Sequence, residues 1–332
     1  MRSTLHVSYD QLSDTLAQGL AAIGVEPDHG RLCARLIADS TRDGVASHGL
    51  NLFPRLVAMI RQGRVDIRAR ATCVAVHGGL ERWDGHCGIG ALNAYAAMDA
   101  AIARSRTNGV GCVALGNTTH WMRGGTYGWQ AVDAGVIGLC WTNTLPNLPP
   151  WGADVPRIGN NPLVIAVPRA RGHVVLDMAM SQFSYGALAG YRARGEPLPV
   201  PGGFDRDGRL TQDAAAIEAS RRPLPIGFWK GSGLSILLDL VAAMLSGGRA
   251  THEIPADPEQ ETGLSQMFIA IDGSTLADGE MMRVADRVIA SLQSRYPGER
   301  TLATRERNLR EGIEVDEAAW RFAQECAGGS RP

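Results

Sequence analysis

The chain has 332 residues, of which 45% are hydrophobic and 20% are charged, and its formal net charge is -1. This length and composition are typical of a globular protein with one large or two ordinary domains. A nearly neutral chain implies no broad basic surface, which argues against nucleic acid or an anionic membrane as a partner. The first residues lack an apolar signal-peptide core, and no long uncharged apolar run stands out. We therefore expect a cytoplasmic protein with reduced, buried cysteines.

The first sixty residues are predicted to be helical. Ser8 and Gln11 form a capping-box pattern, and leucines then recur at helical spacing until Gly24. The pattern predicts two further helices over 29–42 and 48–63.

The centre of the chain predicts a mixed α/β domain, and the tail from Met281 onward is predicted to be mostly helical. Apolar runs bounded by Gly and Pro indicate strands, and an Ala-rich run indicates a helix over 89–106. A further helix is predicted over 234–245, with its apolar residues on one stripe. The predicted strands cover 72–77, 110–115, 136–143, 162–168, 174–178 and 266–272.

The stretch GVASHGLNLFPR, from Gly44 to Arg55, is the first that could carry chemistry. Ser47 could be only a helix N-cap beside a bystander histidine. Alternatively, His48 is a general acid or base, since a helix N-terminus disfavours its charged form and an anionic substrate favours it.

A second histidine, His120, lies in GNTTHWMRGG directly after a predicted strand, where α/β proteins place their sites. It could equally be a buried histidine bonded to backbone. Arg123 could hold a carboxylate in a bidentate pair or be a surface cation. No HxxxH, HxH or CxxC spacing supports a metal site, so none is predicted.

The run FWKGSG, from Phe228 to Gly233, precedes the predicted helix at 234–245. Its glycines could bind a phosphate or pyrophosphate through free backbone N–H groups, or form an ordinary turn before a core helix. The GxGxxG fingerprint of the common dinucleotide-binding fold is missing. The patterns alone therefore indicate an α/β protein and favour an enzyme.

These stretches resemble the type-2 malate/L-lactate dehydrogenase family, whose NAD(P)-dependent oxidoreductases do not use the usual Rossmann fold. The resemblance runs nearly end to end and includes GVASHGLNLFPR, ALGNTTHWMRGGTYGWQA, VVLDMAMSQFSYG, LPVPGGFDRDGRLT and GFWKGSGLSILLD. Within the family, HWMRGGTYGWQA and PPWGA are similar to a subgroup that reduces diketo sugar acids.

The resemblance implies an α/β fold with a helical domain built from residues 1–70 and 300–332. Residues 71–299 would form a mixed-sheet cofactor-binding domain of the non-Rossmann, sulfolactate dehydrogenase-like type, which also binds the substrate. The implied cofactor is NAD, with NADH preferred and NADPH possible. The implied partners are a small 2-oxo or 2-hydroxy acid and a second copy of the chain, in a homodimer with its active site near the subunit interface.

The resemblance also implies roles for individual residues. His48 would donate a proton to the substrate carbonyl with the help of Ser47, His120 would take part in proton transfer, and Asp205 would orient the histidine. The implied substrate contacts are Arg55, Arg123, Thr142 and Asn143. The implied cofactor contacts are His173, Val174, Val175, Leu176, Asp177, Met178, Ala179, Trp229, Lys230, Gly298, Glu299 and Arg300.

One position departs from the family pattern. The family often has an arginine four residues after the active histidine, positioned for the substrate carboxylate, and here that residue is Leu52. Arg55 and Arg123 remain as candidates for that role. Other functions stay open, namely oxidation of malate, lactate or ureidoglycolate, reduction of a cyclic imino acid, binding of a phosphate ligand without turnover, and metal-dependent hydrolysis.

Overall fold

The computed structural model describes residues 5–275 and 280–329, and this part of the chain contains helices, strands and four short 3₁₀ turns. The helices are α1 (Tyr9–Ala22), α2 (Pro27–Arg42), α3 (Phe53–Arg61), α4 (Gly90–Asn108), α5 (Gly125–Asp133), α6 (Tyr185–Arg194), α7 (Ala214–Ser220), α8 (Trp229–Ser246), α9 (Glu280–Ser291), α10 (Glu299–Glu311) and α11 (Glu317–Ala327). The strands are β1 (Leu5–Val7), β2 (Thr72–His77), β3 (Leu80–Asp84), β4 (Val110–Thr119), β5 (Ile137–Thr142), β6 (Leu163–Val167), β7 (Val174–Met178), β8 (Gly203–Phe204), β9 (Leu210–Thr211), β10 (Thr262–Ile271) and β11 (Ile313–Val315).

The two ends of the chain pack together. Strand β1 pairs antiparallel with β11, and the buried faces of α1, α2, α3 and α11 share one hydrophobic core. Leu12 and Leu16 from the head meet Trp320 and Ala323 from the tail in that core. Head and tail therefore form one helical unit. The boundaries 1–70 and 300–332 stay predictions, and residues 1–4 and 330–332 lie outside the described residues.

A seven-stranded mixed sheet forms the body, in the order β2-β3-β4-β10-β5-β6-β7. Of these neighbouring pairs, β3 and β4 are parallel and the other pairs are antiparallel. Because side chains alternate along a strand, Val113 and Phe268 face α4 and α5, whereas Ala114 and Met267 face α8. The predicted α/β class, with a helical unit and a mixed sheet, is confirmed.

Most of the predicted elements are present in the structure. The capping box at Ser8 starts α1, and β7 and β2 have the predicted bounds. The helix predicted over 48–63 is wrong at its start, because two 3₁₀ turns, Ala46–His48 and Leu50–Leu52, precede α3. The prediction of buried cysteines holds for three residues, Cys33, Cys140 and Cys326, whereas Cys73 is exposed.

In α8 the large apolar residues lie on the exposed face, which is the reverse of the usual amphipathic helix. Its buried face consists mainly of small residues such as Ser232, Ser235 and Ala242, with Leu238. Its exposed face carries Leu234, Ile236, Leu237, Leu240, Val241, Met244 and Leu245. In the described part of the chain, α8 is also the one helix long and apolar enough to cross a membrane. An exposed apolar surface of this size indicates a partner on that face.

Candidate active site

A cavity with a volume of about 1440 Å³ lies between the helical unit and the sheet. It is lined by residues from the loop that follows α2, the loop between β4 and α5, strand β7, and the segment that leads into α10. Pockets for one small molecule usually occupy about 300–1,000 Å³, so this cavity has room for a cofactor and a substrate together.

The local fold explains why the sequence places a Ser-His pair between two glycines. Gly44 has a φ of 83°, which ends α2 and turns the chain back. A Cβ on Gly49 would lie 2.4 Å from Oγ1 of Thr41, so only glycine lets this loop pack against α2. The same hydroxyl accepts the backbone N–H of Leu50 at 2.9 Å. The loop is therefore fixed, and it presents His48 to the cavity.

Among the residues that the structure describes, His48 has a hydrogen-bond partner at one ring nitrogen. Its Nδ1 lies 3.0 Å from the hydroxyl of Ser47, which leaves Nε2 as the nitrogen available to a ligand. Burial lowers the pKa of His48, Asp177 counteracts that effect, and Arg123 lowers the pKa again, so that it lies below the ordinary value. The N-cap interpretation of Ser47 is wrong, because Leu52 occupies the N-cap position of α3.

His120 stacks beside His48, with ring centroids 6.0 Å apart and an interplanar angle of 23°. Its Nδ1 accepts the backbone N–H of Met122 at 3.1 Å. Burial lowers the pKa of His120 well below the ordinary value, and Arg55 and His48 lower it further. The structure therefore brings together the two histidines that the sequence singled out.

Two arginines line the cavity beside the histidines, and each is paired with a buried carboxylate. Arg55 donates to Oε2 of Glu261 at 2.8 Å, and Arg123 donates to Asp43 at 2.8 Å. The Nε atoms of both arginines are buried and lack a hydrogen-bond partner in the described residues. Buried donors of this kind are normally satisfied, so these two atoms are available to an anionic ligand.

Asp177 is the carboxylate with the largest effect on the pKa of His48. It lies on β7, lines the cavity, and accepts the backbone N–H of Gly125 at 2.8 Å. Of the charged groups around His48, it exerts the largest influence on the pKa of that ring. Asp177 thus lies near the reacting end of the cavity.

The residues at the other end of the cavity fit a nicotinamide dinucleotide. Helix α10 begins after Gly298, whose φ of 97° and close approach to the backbone of β7 leave little room for a side chain. Arg295 and Arg300 line the cavity next to this helix N-terminus, a combination that favours a pyrophosphate.

Other predicted site residues lie elsewhere. The carboxylate of Asp205 accepts the N–H groups of Asp207 and Arg209 within the turn between β8 and β9, away from the cavity lining. The amide of Asn143 is buried and already bonded to Asp239, to Arg249 and to Ser265, whereas Thr142 does line the cavity. The predicted cofactor contacts outside the cavity lining are His173, Val174, Met178, Trp229, Lys230 and Glu299.

The phosphate cradle predicted over 231–233 is wrong. These residues lie inside α8, where the N–H of Gly231 donates to Ile226 and that of Ser232 donates to Phe228. Trp229 and Lys230 are exposed, on the same side as the apolar face of α8.

Sequence analysis missed two functional contributors. Glu261 comes from the far end of the chain relative to Arg55, and no motif marks it. Gly186 lies in the first turn of α6, where a Cβ would stand 3.1 Å from Cβ of Ser47. The sequence SQFSYG marks the helix start through the N-cap Ser184, but it does not reveal the approach of Gly186 to the side chain of Ser47.

Comparisons with known proteins agree with this geometry. A family model described as malate/L-lactate dehydrogenase matches residues 7–322. A 2,3-diketo-L-gulonate reductase from Citrobacter koseri is 42% identical over 327 residues, which is 95% of this chain and 98% of the relative. The structure of a sulfolactate dehydrogenase from Methanocaldococcus jannaschii superposes with a TM-score of 0.90 at 25% identity, covering 98% of this chain and 97% of that one. The structure of a delta1-piperideine-2-carboxylate reductase from Pseudomonas syringae pvar. tomato superposes with a TM-score of 0.87 at 30% identity, covering 97% and 100%.

The contact between Gly186 and Ser47 gives a first prediction. In Gly186→Ala the new methyl group displaces Ser47 and with it His48, so we expect kcat with a 2-oxo acid to fall about tenfold. The melting temperature should not fall, because alanine favours the helix. The control is Gly190→Ala on the same helix, where a Cβ meets only the flexible end of Arg194. Equal kcat values for the two variants would contradict this positioning of Ser47.

Proposed function

This chain belongs to the malate/L-lactate dehydrogenase family, and we propose that it reduces 2,3-diketo-L-gulonate to 3-dehydro-L-gulonate by hydride transfer from NADH or NADPH. Family membership makes it an oxidoreductase acting on a 2-hydroxy or 2-oxo acid. The choice of substrate follows the name of the reductases that are 42% identical to it. The observation that carries the proposal is the pair of stacked histidines beside an arginine with an unpaired Nε.

His48 is the proton donor in this mechanism. A bound NADH or NADPH would supply the hydride for the C2 carbonyl carbon. Negative charge then develops on the carbonyl oxygen, and the Nε2–H of protonated His48 neutralises it by donating its proton. The hydroxyl of Ser47 accepts from Nδ1–H of the same ring and keeps it oriented. General acid catalysis of this kind contributes about 10²–10⁴-fold to the rate.

Arg55 is the better candidate for the substrate carboxylate. Its guanidinium is partly exposed in the cavity, whereas Arg123 is only 5% exposed and is tied to Asp43. Leu52, at the position where the family often has arginine, packs against the core of the helical unit. Arg55 lies on α3, which begins just after the His48 loop. It can therefore bind the substrate carboxylate while His48 donates to the carbonyl oxygen.

Cofactor choice depends on the end of the cavity near α10. The positive helix N-terminus, Arg295 and Arg300 would hold the pyrophosphate. We expect NADH to be preferred, and the ratio of kcat/KM for NADH to kcat/KM for NADPH measures this preference.

The exposed face of α8 supports a homodimer. A second copy would cover the apolar residues of that face, together with Trp151 and Phe228, whose rings contact each other at 5.2 Å. Trp229 and Lys230 lie at the edge of this surface, so cofactor contacts from them would be completed in the dimer.

The function is tested by following NADH and NADPH absorbance with 2,3-diketo-L-gulonate, alongside pyruvate, oxaloacetate, malate, lactate, ureidoglycolate and a cyclic imino acid. We expect turnover with the diketo sugar acid.

In His48→Asn, kcat should fall about 10²–10⁴-fold with nearly unchanged cofactor affinity, because only the proton donor is lost. Turnover of another substrate alone would move the specificity to that compound, and a His48 variant with most of its activity would refute the acid assignment.

The environment of His48 predicts a pH dependence. Reduction needs the protonated ring, and burial places its pKa below the ordinary value of about 6.5. We therefore expect kcat/KM to fall as pH rises through a midpoint below that value. Asp177 raises this pKa, so Asp177→Asn should move the midpoint to lower pH. Asp205→Asn is the control, and a midpoint that moves in the control but not in Asp177→Asn would show this electrostatic account to be incorrect.

The homodimer is tested by light scattering. The wild-type protein should have twice its chain mass of 35.4 kDa. Leu237→Glu places a charge on the α8 face, where the side chain is 59% exposed, and should give the monomer mass. Leu309→Glu changes an equally exposed leucine, 55% exposed, on α10, and should stay a dimer. A Leu237→Glu variant that remains dimeric would place the interface elsewhere.

A further inference from the structure

The two active-site histidines differ in the partner of Nδ1. Next to Nδ1 of His48 is a hydroxyl, Ser47, which can donate or accept and therefore tolerates both the neutral and the charged ring. Next to Nδ1 of His120 is the backbone N–H of Met122, which can only donate. The lone pair of that nitrogen is occupied, so the ring of His120 carries its proton on Nε2 and stays neutral.

The backbone around His120 is arranged to maintain this contact. Met122 has a φ of 65°, a left-handed conformation that is costly for a side chain of its size, and it is buried. This strained residue follows directly on the N–H that donates to the ring of His120. The charged or titratable groups that influence His120 are Arg55 and His48, and both disfavour a second proton on it. His120 is thus a permanent hydrogen-bond donor through Nε2.

We propose that His120 is a specificity-determining residue: its Nε2–H donates to the oxygen on C3 of the substrate and so selects 2-oxo acids that carry an oxygen next to the reduced carbonyl. The inference rests on the proposed function. Among the described residues no hydrogen bond is found at Nε2 of His48 or His120, and the two rings stack with centroids 6.0 Å apart in one cavity. Hydrogen bonds of about 2.9 Å from the two rings would hold two oxygens of one substrate, such as those on C2 and C3 of a 2,3-dioxo acid.

This assignment differs from the proton-transfer role that the sequence predicted for His120. Transfer requires a ring that gains and loses a proton during turnover. The N–H of Met122 blocks the site where His120 would gain one, and burial opposes the charge. Nδ1 of His48 faces a hydroxyl that accepts as well as donates, and Asp177 counteracts part of the effect of burial on its pKa, so His48 keeps the proton-donor role.

The test uses two substitutions, each of which keeps one of the two hydrogen-bonding positions of the ring, the acceptor at Nδ1 or the donor at Nε2. His120→Asn keeps an oxygen near the position of Nδ1 for the N–H of Met122 but has no donor at the position of Nε2. His120→Gln places an N–H₂ group near the position of Nε2. The measured quantity is the ratio of kcat/KM for 2,3-diketo-L-gulonate to kcat/KM for 2-oxobutanoate, which has no oxygen on C3.

We expect this ratio to fall about 10–100-fold in His120→Asn, the cost of one unpaired hydrogen bond, and to recover largely in His120→Gln. The pH midpoint of kcat/KM should stay at its wild-type value in both variants. A ratio within twofold of wild type in His120→Asn, or a midpoint that disappears with the substitution, overturns the inference. If the wild-type protein fails to turn over the diketo acid at all, the proposed function is what fails.

A second measurement does not need turnover and covers the case in which His120→Asn fails to fold. Histidine ¹⁵N NMR of the wild-type protein, with the His120 signals assigned by their loss in His120→Gln, reports the tautomer directly. We expect the neutral Nε2–H form throughout the range in which an ordinary histidine titrates, around its pKa of about 6.5. Titration of His120 within that range would overturn the inference.

Discussion

Asp43 is the residue on which the geometry of the active site depends. Its carboxylate is 4% exposed and accepts hydrogen bonds from Arg123 and Arg305, while Arg42 pairs with it at 2.9 Å. Burial raises the pKa of this carboxyl, but the three guanidinium groups more than offset that effect and hold it below its ordinary value. Removing one partner from a buried ion pair costs about 3–5 kcal/mol, so loss of Arg123 or Asp43 would be strongly destabilising.

The cluster joins parts of the chain that must act together. Arg305 comes from α10, whose first turn forms the cofactor end of the cavity, and Arg123 comes from the loop that carries His120. Asp43 itself is followed directly by the glycine that turns the chain toward His48. The Asp43 cluster therefore ties α10 to the two loops that carry His48 and His120.

Sequence reasoning predicted what is encoded locally. The capping box of α1 and the apolar run of β7 fix those elements because their signals lie within one turn or one strand. The two glycines around the Ser-His pair marked the catalytic loop for the same reason. Asp205 stays a prediction as the orienting residue: within the chain its carboxylate accepts hydrogen bonds from its own turn, and Asp177 is the carboxylate with the largest effect on the pKa of His48. The arrangement of the strands in the sheet determines which carboxylate lies near a histidine. No local pattern in a single sequence encodes that arrangement.

The environment of His48 links its protonation to substrate binding. Asp177 and Glu261 favour the charged ring, while burial, Arg123 and Arg55 oppose it, and the opposing effects prevail. In the mechanism proposed here, the substrate carboxylate pairs with Arg55 and adds a negative charge close to the ring. The bound carboxylate raises the pKa of His48 in two ways: it attracts the imidazolium, and it offsets the repulsion between the imidazolium and Arg55. By linkage, the protonated enzyme must then bind the acid more tightly, so the proton needed for reduction is taken up together with the substrate.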